Sequence, residues 1–463
     1  MAICVTPRIV VAATGSGVGK TTVTAALMRA LHDRGLKVAA FKCGPDYLDP
    51  GYHQRAALSS SHNLDGWMMG RAGVLETFAT AAADADIAII EGVMGLFDSA
   101  APTADEGSTA EIARWLGAPV LLVVDASGMA RTIAALALGF AQFDSSIRIA
   151  GLICNRVGSR GHLELLRRTP VPMPIVGALP AAPEITLPER HLGLVSAINS
   201  ATPESVFQRL GQMAVEWFDL DSIIALARSS PPLAGDRDRA PRAIARCPIG
   251  IAYDEAFHFY YQYNLAALEA AGAELVRFSP IRDRTLPAVA GLYFGGGYPE
   301  TAARELSANL PMLQAIREFA AAGKPIYAEC GGLMYLAEAI RTFDHETYPM
   351  AALIPGTAVM HSTLQALGYV EVTTTAPSLL GPTGTSWRGH QFRYSSLEPD
   401  AAAIERIYRV VPRWGAGPFA EGYRRANVIA SYVHAHWASN PAVPAAFVQT
   451  CAEAADRRKD RFS

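Results

Sequence analysis

The stretch Ile9–Thr24 constrains the fold of this chain most, because a β-branched apolar run there meets a glycine-rich turn and then a helical pattern. Glycines let the backbone direct its N–H groups at an anion, the following helix brings its positive N-terminus to the same point, and a lysine adds charge. Thr14 replaces the first glycine of the usual G-x-x-x-x-G-K-[ST] pattern, and a glycine follows it. The alternative is an ordinary glycine turn, but the strand before and the helix after favour a phosphate-binding loop. The residues predicted to bind the nucleotide there are Gly15, Gly17, Gly19, Lys20, Thr21 and Thr22.

Length and charge narrow the function classes. A chain of 463 residues exceeds one core of the usual size, which predicts two domains or three small ones. Its 40 basic and 43 acidic side chains leave a net charge of −3, which offers no electrostatic footprint for nucleic acid or an anionic membrane. No apolar run approaches the roughly 18 residues of a membrane span. The six scattered cysteines suit reduced thiols, so we expect a cytoplasmic protein that acts on small metabolites.

From residue 8 to about residue 195, short β-branched runs alternate with helical patterns, which predicts βαβ units and a mostly parallel, doubly wound sheet. The predicted strands are Arg8–Ala13, Lys37–Lys42, Ile87–Ile90, Pro119–Val124, Arg148–Cys154 and Pro174–Val176. Ligands of such sheets bind at the carboxyl ends of the strands. The residues that follow each strand are therefore the first candidates for a site.

Acidic and amide side chains occupy those positions. Asp46 and Asp49 follow the second predicted strand, and Glu91 follows the third. An acid at a strand end beside a phosphate loop usually holds Mg²⁺ or its waters, so Thr21, Asp46 and Glu91 form a predicted set of oxygen ligands. Asp49, in Asp-Pro-Gly, has the alternative of simply forming a turn. Asn155 follows a later strand and either binds the adenine edge or is a satisfied loop amide.

The pattern loosens between residues 196 and 245. An amphipathic helix around Pro203–Phe218 precedes the Arg/Asp/Pro-rich run Gly235–Arg246, which has the composition of a linker. We therefore predict a first domain at residues 1–195, a helix and linker at 196–245 and a second domain at 246–463.

A second α/β series ends in a cysteine turn. The predicted strands are Pro248–Tyr253, Glu274–Phe278, Gly291–Phe294 and Pro325–Ala328. The last strand runs into Glu329-Cys330-Gly331-Gly332, and a helical pattern starts at Leu333. A helix N-terminus favours thiolate, and glycines admit a substrate carbonyl close to backbone N–H groups. This arrangement predicts a nucleophile elbow; the alternative is a buried structural cysteine.

Other residues supply what a thiol nucleophile needs. Three glycines in Phe294–Pro299 can provide a second oxyanion donor, so Gly296 and Gly331 are the predicted pair. His434 and His436 follow a predicted strand, Asn427–Val433, and alternation continued along a strand would place both on one face. One of them can serve as base with the other beside it. Two more histidines, His258 and His390, are either substrate contacts or structural.

Five motifs in this order resemble the cobyrinate a,c-diamide synthase family of cobalamin biosynthesis. They are Thr14–Thr22, Phe41–Pro50, Glu91–Gly95, Phe294–Glu300 and Ala328–Gly332. The resemblance covers nearly the whole chain; its N-terminal half is similar to dethiobiotin synthetases and its C-terminal half to class I glutamine amidotransferases. It implies two doubly wound α/β domains, a P-loop domain and an amidotransferase-like domain.

The resemblance also implies a mechanism. Cys330 would attack the side-chain amide of glutamine while Gly331 and the Gly295–Gly297 loop hold the oxyanion and His434 activates the thiol. ATP and Mg²⁺ in the N-terminal domain would convert a carboxylate of the corrinoid acid to an acyl phosphate, from which ammonia displaces phosphate. Two turnovers would give the a,c-diamide. The implied corrinoid contacts are Asp46, Tyr47, Leu48 and Asp49.

Two departures and several alternatives accompany the resemblance. Class I amidotransferases usually carry His-x-Glu, whereas this chain has His434-Ala-His436, so another group must orient His434 and a weaker glutaminase is expected. Ala328 replaces a glycine of many elbows, a change we expect to be tolerated. The same motifs suit hydrogenobyrinate or nickel sirohydrochlorin as substrate. A non-enzymatic ATP switch with a C-terminal binding module is the alternative from another class, and a monomer or homodimer is expected.

Overall fold

The computed structural model describes residues 2–99, 103–182, 187, 202–235, 247–398, 404–415 and 417–459. The chain forms two compact units, Met1–Ala240 and Pro241–Ser463. Their division falls within the segment 196–245 that was predicted as helix and linker. Residues 236–246 of the predicted linker run lie outside the described residues.

A seven-stranded parallel sheet organises the first unit, in the order β4-β3-β5-β2-β6-β7-β8. Its strands are β2 (Arg8–Ala13), β3 (Val38–Cys43), β4 (Ser61–Leu64), β5 (Ile87–Glu91), β6 (Val120–Asp125), β7 (Ile149–Val157) and β8 (Ile175–Pro180). The predicted doubly wound parallel sheet is confirmed. Edge strand β4 was not predicted, because its sequence Ser-His-Asn-Leu has no β-branched run. A short pair, β1 (Ala2–Cys4) and β9 (Leu233–Gly235), is antiparallel.

Helices complete this unit. They are α1 (Lys20–Asp33), α2 (Leu48–Ala57), α3 (Gly66–Ala81), α4 (Thr109–Leu116), α5 (Thr132–Phe143), α6 (Arg160–Arg167), α7 (Glu204–Trp217) and α8 (Leu220–Arg228). Phe207 and Leu210 of α7 are buried in the same core as Leu27 and Leu31 of α1. The helix predicted in the 196–245 segment therefore belongs to the first unit, which extends beyond the predicted end at residue 195.

A ten-stranded mixed sheet runs through the second unit, in the order β11-β10-β12-β13-β22-β21-β20-β17-β18-β23. Its strands are β10 (Cys247–Ala252), β11 (Ala273–Phe278), β12 (Gly291–Phe294), β13 (Ile326–Glu329), β17 (Ala366–Thr374), β18 (Ser386–Arg393), β20 (Glu405–Pro412), β21 (Phe419–Arg425), β22 (Val428–Ser431) and β23 (His434–His436). The first five strands in this order are parallel, as predicted, and the others pair antiparallel. The predicted strand Asn427–Val433 is wrong at its end: β22 ends at Ser431, and the chain then forms β23 at the edge of the same sheet, beside β18.

The described residues of the second unit also form a second sheet and five α-helices. The four-stranded sheet has the order β15-β14-β16-β19, formed by β14 (Ala337–Arg341), β15 (Thr347–Pro349), β16 (Ile354–Met360) and β19 (Ser395–Glu398). The helices are α9 (Gln262–Ala270), α10 (Ala303–Ala308), α11 (Leu310–Ala321), α12 (Gly331–Leu336) and α13 (Ala442–Lys459). Successive side chains of a strand point to opposite faces of the sheet, so the core has two parts. Leu292 and Phe294 of β12 pack in one hydrophobic cluster, and Tyr293 packs in another. In the described parts of both units, no helix is long and apolar enough to cross a membrane.

Candidate active site

The predicted phosphate loop connects β2 to α1 in the first unit. Gly17 and Gly19 have φ values of 78° and 88°, which side-chain-bearing residues rarely adopt. A Cβ atom on Gly19 would lie 2.1 Å from Nδ2 of Asn155, so the loop has no room for a side chain there. No side chain caps α1, and its first turn has no acidic residue. The N-terminal N–H groups of α1 are therefore left for an anion.

Two neighbouring residues of β7 hold this loop. Asn155 Nδ2 donates to the carbonyl of Val18 at 2.8 Å, and Arg156 Nη2 donates to the carbonyl of Gly17 at 2.9 Å. The amide of Asn155 thus shapes the loop, and its contact with adenine stays a prediction. The sequence did not single out Arg156, because its backbone φ of 58° and the direction of its side chain depend on tertiary structure. Both residues therefore hold the backbone of the glycine loop through its carbonyl groups.

Glu91 is the centre of a buried polar network at the carboxyl ends of β3 and β5. Its oxygens accept hydrogen bonds from Thr21 Oγ1 at 2.8 Å, Lys42 Nζ at 2.9 Å and His53 Nε2 at 2.5 Å. Lys42 Nζ also lies 2.6 Å from Asp49 Oδ2. Burial alone would lower the pKa of Lys42, but attraction to Asp49 and Glu91 raises it above its ordinary value. Lys42 therefore stays protonated and neutralises the acids of this network.

The predicted oxygen ligands are only partly brought together. Thr21 and Glu91 are hydrogen-bonded, whereas Asp46 lies at the start of α2, where Oδ1 accepts from the N–H of Leu48 at 2.8 Å. Asp49 is inside α2 and is paired with Lys42. Among the described residues, no group of three His, Cys, Asp or Glu side chains is arranged to hold a metal ion. Lys20, the loop lysine, donates to the carbonyl of Met94 at 3.0 Å.

In the second unit, Cys330 forms a sharp turn between β13 and α12. Its φ of 47° and ψ of −102° are sparsely populated for a residue with a side chain, and such strain of about 1–3 kcal/mol is concentrated at functional sites. Its N–H donates to the carbonyl of Ser431 at 2.7 Å. A Cβ on Gly332 would lie 2.6 Å from the carbonyl oxygen of Phe294, so the turn packs tightly on the chain after β12. This is the geometry of the predicted elbow.

The glycine loop after β12 lies against this elbow. The carbonyl of Gly296 accepts from the N–H groups of His258 and Phe259 at 3.1 and 3.0 Å. Because the C=O and N–H of a trans peptide point in opposite directions, the N–H of Gly297 points away from that segment. Gly297 N is 3.0 Å from where a Cβ of Gly331 would be. Gly297 N therefore lies beside the elbow as a second candidate donor, and the role of Gly296 stays a prediction.

His434 also lies against the glycine loop that follows β12. A Cβ on Gly296 would lie 2.3 Å from Cε1 of His434, so the imidazole packs on the glycine loop. His390, on the neighbouring strand β18, stacks on His434 with ring centroids 5.0 Å apart, and its Nδ1 is 3.1 Å from the hydroxyl of Tyr261. Tyr261 also packs on His436, with centroids 4.6 Å apart. The structure thus brings His390 into contact with the predicted base, whereas His258 packs on Phe259 and Tyr298.

The surroundings of Cys330 oppose the expected thiolate. Burial, with a smaller contribution from the nearby Glu300 carboxyl, raises the pKa of the Cys330 thiol to about 12. Burial also lowers the pKa of His434 to about 3. The N–H groups at the start of α12 favour the thiolate, whereas the burial of the sulfur opposes it. Burial therefore favours the neutral form of both groups in the free protein.

Comparisons with known proteins decide the family. Residues 9–195 match the model of the CobQ/CobB/MinD/ParA nucleotide binding domain, and residues 248–442 match that of the CobB/CobQ-like glutamine amidotransferase domain. A protein of Leptospira interrogans named cobyrinate a,c-diamide synthase is 50% identical over 446 residues, which cover 96% of this chain and 98% of that relative. The chain belongs to the cobyrinate a,c-diamide synthase family.

Other cobyrinate a,c-diamide synthases are nearly as similar. The protein with this name from Syntrophotalea carbinolica is 49% identical over 453 residues, covering 96% of this chain and 98% of its own. The protein with this name from Salmonella typhimurium is 40% identical over 442 residues, which cover 93% of this chain and 95% of that relative. The predicted family, the nucleotide-binding half and the glutamine amidotransferase half are confirmed.

Sequence reasoning missed several polar residues in this cobyrinate a,c-diamide synthase family member. Lys42 carries the clearest signal, since a lysine in the fully buried strand β3 needs an acidic partner. His53 and Arg156 carry no comparable signal, because each is one polar residue in an ordinary helix or strand end. Glu329 and Asn264 beside the histidine strand are likewise visible only in the fold.

Proposed function

We propose that this chain catalyses the ATP- and glutamine-dependent amidation of the a and c acetate carboxylates of cobyrinate. The observation that carries this proposal is identity of 50% over 96% of the chain with a protein named for that reaction. The elbow at Cys330 and the phosphate loop at Gly15–Thr22 support it, because the reaction needs an amide-cleaving nucleophile and a nucleotide site.

In the glutaminase reaction, the sulfur of Cys330 attacks the side-chain carbonyl carbon of glutamine. The N–H groups of Gly331 and Gly297 stabilise the oxyanion. His434 takes the thiol proton and delivers it to the departing ammonia, leaving a glutamyl thioester that water hydrolyses. Since burial favours the neutral form of both groups beforehand, we infer that this proton transfer accompanies substrate attack rather than preceding it.

In the ligase reaction, the phosphate loop holds the ATP phosphates and Lys20 offsets charge on the transferred phosphoryl group. The corrinoid carboxylate attacks the γ-phosphorus, ADP leaves, and ammonia then attacks the acyl carbon and displaces phosphate. The paired oxygens of Thr21 and Glu91 fit Mg²⁺, a cation that prefers oxygen ligands, and Asp46 would complete the set. Bound there, Mg²⁺ would neutralise charge on the β- and γ-phosphates.

The loop and helix start at residues 46–49 are our candidate corrinoid contacts. Asp46 and Tyr47 are half-buried, whereas Leu48 and Asp49 are buried. Asp49 is also paired with Lys42. We therefore assign Asp49 to the network around Glu91, Tyr47 to the corrinoid side, and Asp46 to both the cation site and the corrinoid side. A monomer or homodimer in the cytoplasm that binds neither nucleic acid nor membrane completes the proposal.

The reaction is tested with purified protein, ATP, Mg²⁺ and glutamine against cobyrinate, hydrogenobyrinate and nickel sirohydrochlorin. We expect two amidations of cobyrinate by mass spectrometry, with one ADP formed per amide. Amidation of hydrogenobyrinate or nickel sirohydrochlorin alone would move the assignment to that tetrapyrrole. If no tetrapyrrole acid is amidated, the synthase function fails and the ATP-switch alternative gains support.

A further inference from the structure

Glu329, the last residue of β13, directly precedes the nucleophile and is almost completely buried, with 1% of its surface exposed. Its Oε1 accepts from the hydroxyl of Tyr327 at 2.7 Å and from the N–H of Ala435 at 3.0 Å. Its Oε2 accepts from the hydroxyl of Tyr293 at 3.0 Å. A buried carboxylate is costly, so three donors converging on it indicate a built arrangement.

Ala435 is the residue between the two histidines of β23, and both of its backbone groups are held by side chains. Its N–H donates to Glu329, and its carbonyl accepts from Asn264 Nδ2 at 2.8 Å. Asn264 Oδ1 in turn accepts from the N–H of Trp437 at 2.9 Å. Asn264 has no exposed surface. Glu329 and Asn264 therefore form a clamp on the backbone that carries His434.

The clamp contacts a short strand, β23, at the edge of its sheet. This strand has three residues and pairs with one strand, β18, at the end of the ten-stranded sheet. In an antiparallel pair, the N–H and C=O of successive residues point alternately towards and away from the partner strand. The outward groups of Ala435 are the ones that Glu329 and Asn264 bind. The clamp thus replaces the missing neighbour on the far side of β23.

We propose that Glu329 is the positioning residue of the glutaminase, taking over the task of the Glu in His-x-Glu by fixing the backbone of the His434 strand next to Cys330. Glu329 is covalently adjacent to the nucleophile and hydrogen-bonded to the residue adjacent to the base. A single side chain therefore fixes the distance between these two catalytic groups. The inference rests on the proposed function, because it assumes that Cys330 and His434 cleave glutamine.

Two substitutions at Glu329 separate the effect of side-chain length from the effect of the carboxyl group. Glu329→Gln keeps the length of the side chain, and its carbonyl oxygen can still accept from Ala435, while the hydroxyl of Tyr293 can turn to accept from the new amide. Glu329→Asp keeps the carboxyl group but withdraws it by about 1.5 Å, one carbon–carbon bond. Glutamate release from glutamine, ammonia-dependent amidation of cobyrinate, and the kcat and KM of each are measured for both variants and the unaltered protein.

A positioning role predicts that the Asp variant loses roughly tenfold or more in kcat for glutamine, with KM within about twofold, because misplacement of catalytic groups slows the chemical step. The kcat of the Gln variant for glutamine stays within about threefold of that of the unaltered protein. Ammonia-dependent amidation is unchanged in both variants. Equal kcat values in the Asp variant and the unaltered protein overturn the proposal. So does a Gln variant as slow as the Asp variant, or loss of ammonia-dependent amidation along with glutaminase. If the unaltered protein amidates no tetrapyrrole yet releases glutamate, the proposed synthase function fails while the comparison of variants still decides the role of Glu329.

Discussion

Lys42 and Glu91 form a buried ion pair at the carboxyl ends of adjacent strands, with Nζ and Oε1 2.9 Å apart. Glu91 has no exposed surface and Lys42 is 2% exposed. The same carboxylate accepts from Thr21 of the phosphate loop. The pair therefore links the core of the first unit to its nucleotide site.

We expect Lys42→Met to destabilise the first unit by about 3–5 kcal/mol, because it leaves Glu91 and Asp49 buried without their cation. Urea unfolding followed by circular dichroism measures this loss. Lys20→Met is the matched control, since Lys20 is half-buried and lies on the phosphate loop; it should abolish ATP-dependent amidation with a much smaller loss of stability. A Lys42→Met protein as stable as the unaltered one would contradict the account of the pair.

Gly19→Ala should raise the KM for ATP by about tenfold or more. The new Cβ would lie 2.1 Å from Asn155 Nδ2, and the φ of 88° disfavours alanine, so the loop must move away from its phosphate-binding conformation. Ammonia-dependent amidation at varied ATP concentration measures the change. Gly139→Ala, in helix α5 with no atom within 4 Å of the new Cβ, is the control and should leave the KM unaltered. An unchanged KM in Gly19→Ala would show that the loop does not hold the phosphates as proposed.

Cys330→Ala should abolish amidation with glutamine and retain amidation with ammonium chloride. The reason is that the thiol is required only to release ammonia, whereas the phosphate loop lies in the other unit. Parallel assays with the two nitrogen sources test this, with the unaltered protein as reference. Loss of both activities would count against a two-site mechanism, and full retention of both would favour the ATP switch.

Alkylation of Cys330 should be slow at neutral pH in the absence of glutamine. An ordinary thiol has a pKa of about 8.5, whereas burial raises that of Cys330 to about 12, so its thiolate fraction at pH 8 is far smaller. The rate of inactivation by iodoacetamide should therefore still be rising at about pH 9 and show no plateau near neutrality. Loss of glutaminase activity follows the reaction. A plateau below pH 8 would instead indicate a thiolate and imidazolium pair in the free enzyme.

Much of the parallel architecture could be predicted from sequence because its strands are buried on both faces. Runs such as Ile9–Ala13 and Ile87–Ile90 are continuously apolar, and the motifs follow them directly. The antiparallel strands of the second unit are different. Strand β20, for example, mixes buried and exposed residues and has no helical pattern beside it, so nothing marked it as part of the sheet.

The chemistry of the two sites divides in the same way. Local sequence determined the phosphate loop and the Cys330 elbow, since each depends on glycines and a nucleophile or lysine within a few residues of a strand end. Only the tertiary structure decided the partners of Glu91, the ionisation of Cys330 and the support of His434. These depend on contacts such as Glu329 to Ala435, which are 106 residues apart, and on burial, which no local pattern encodes.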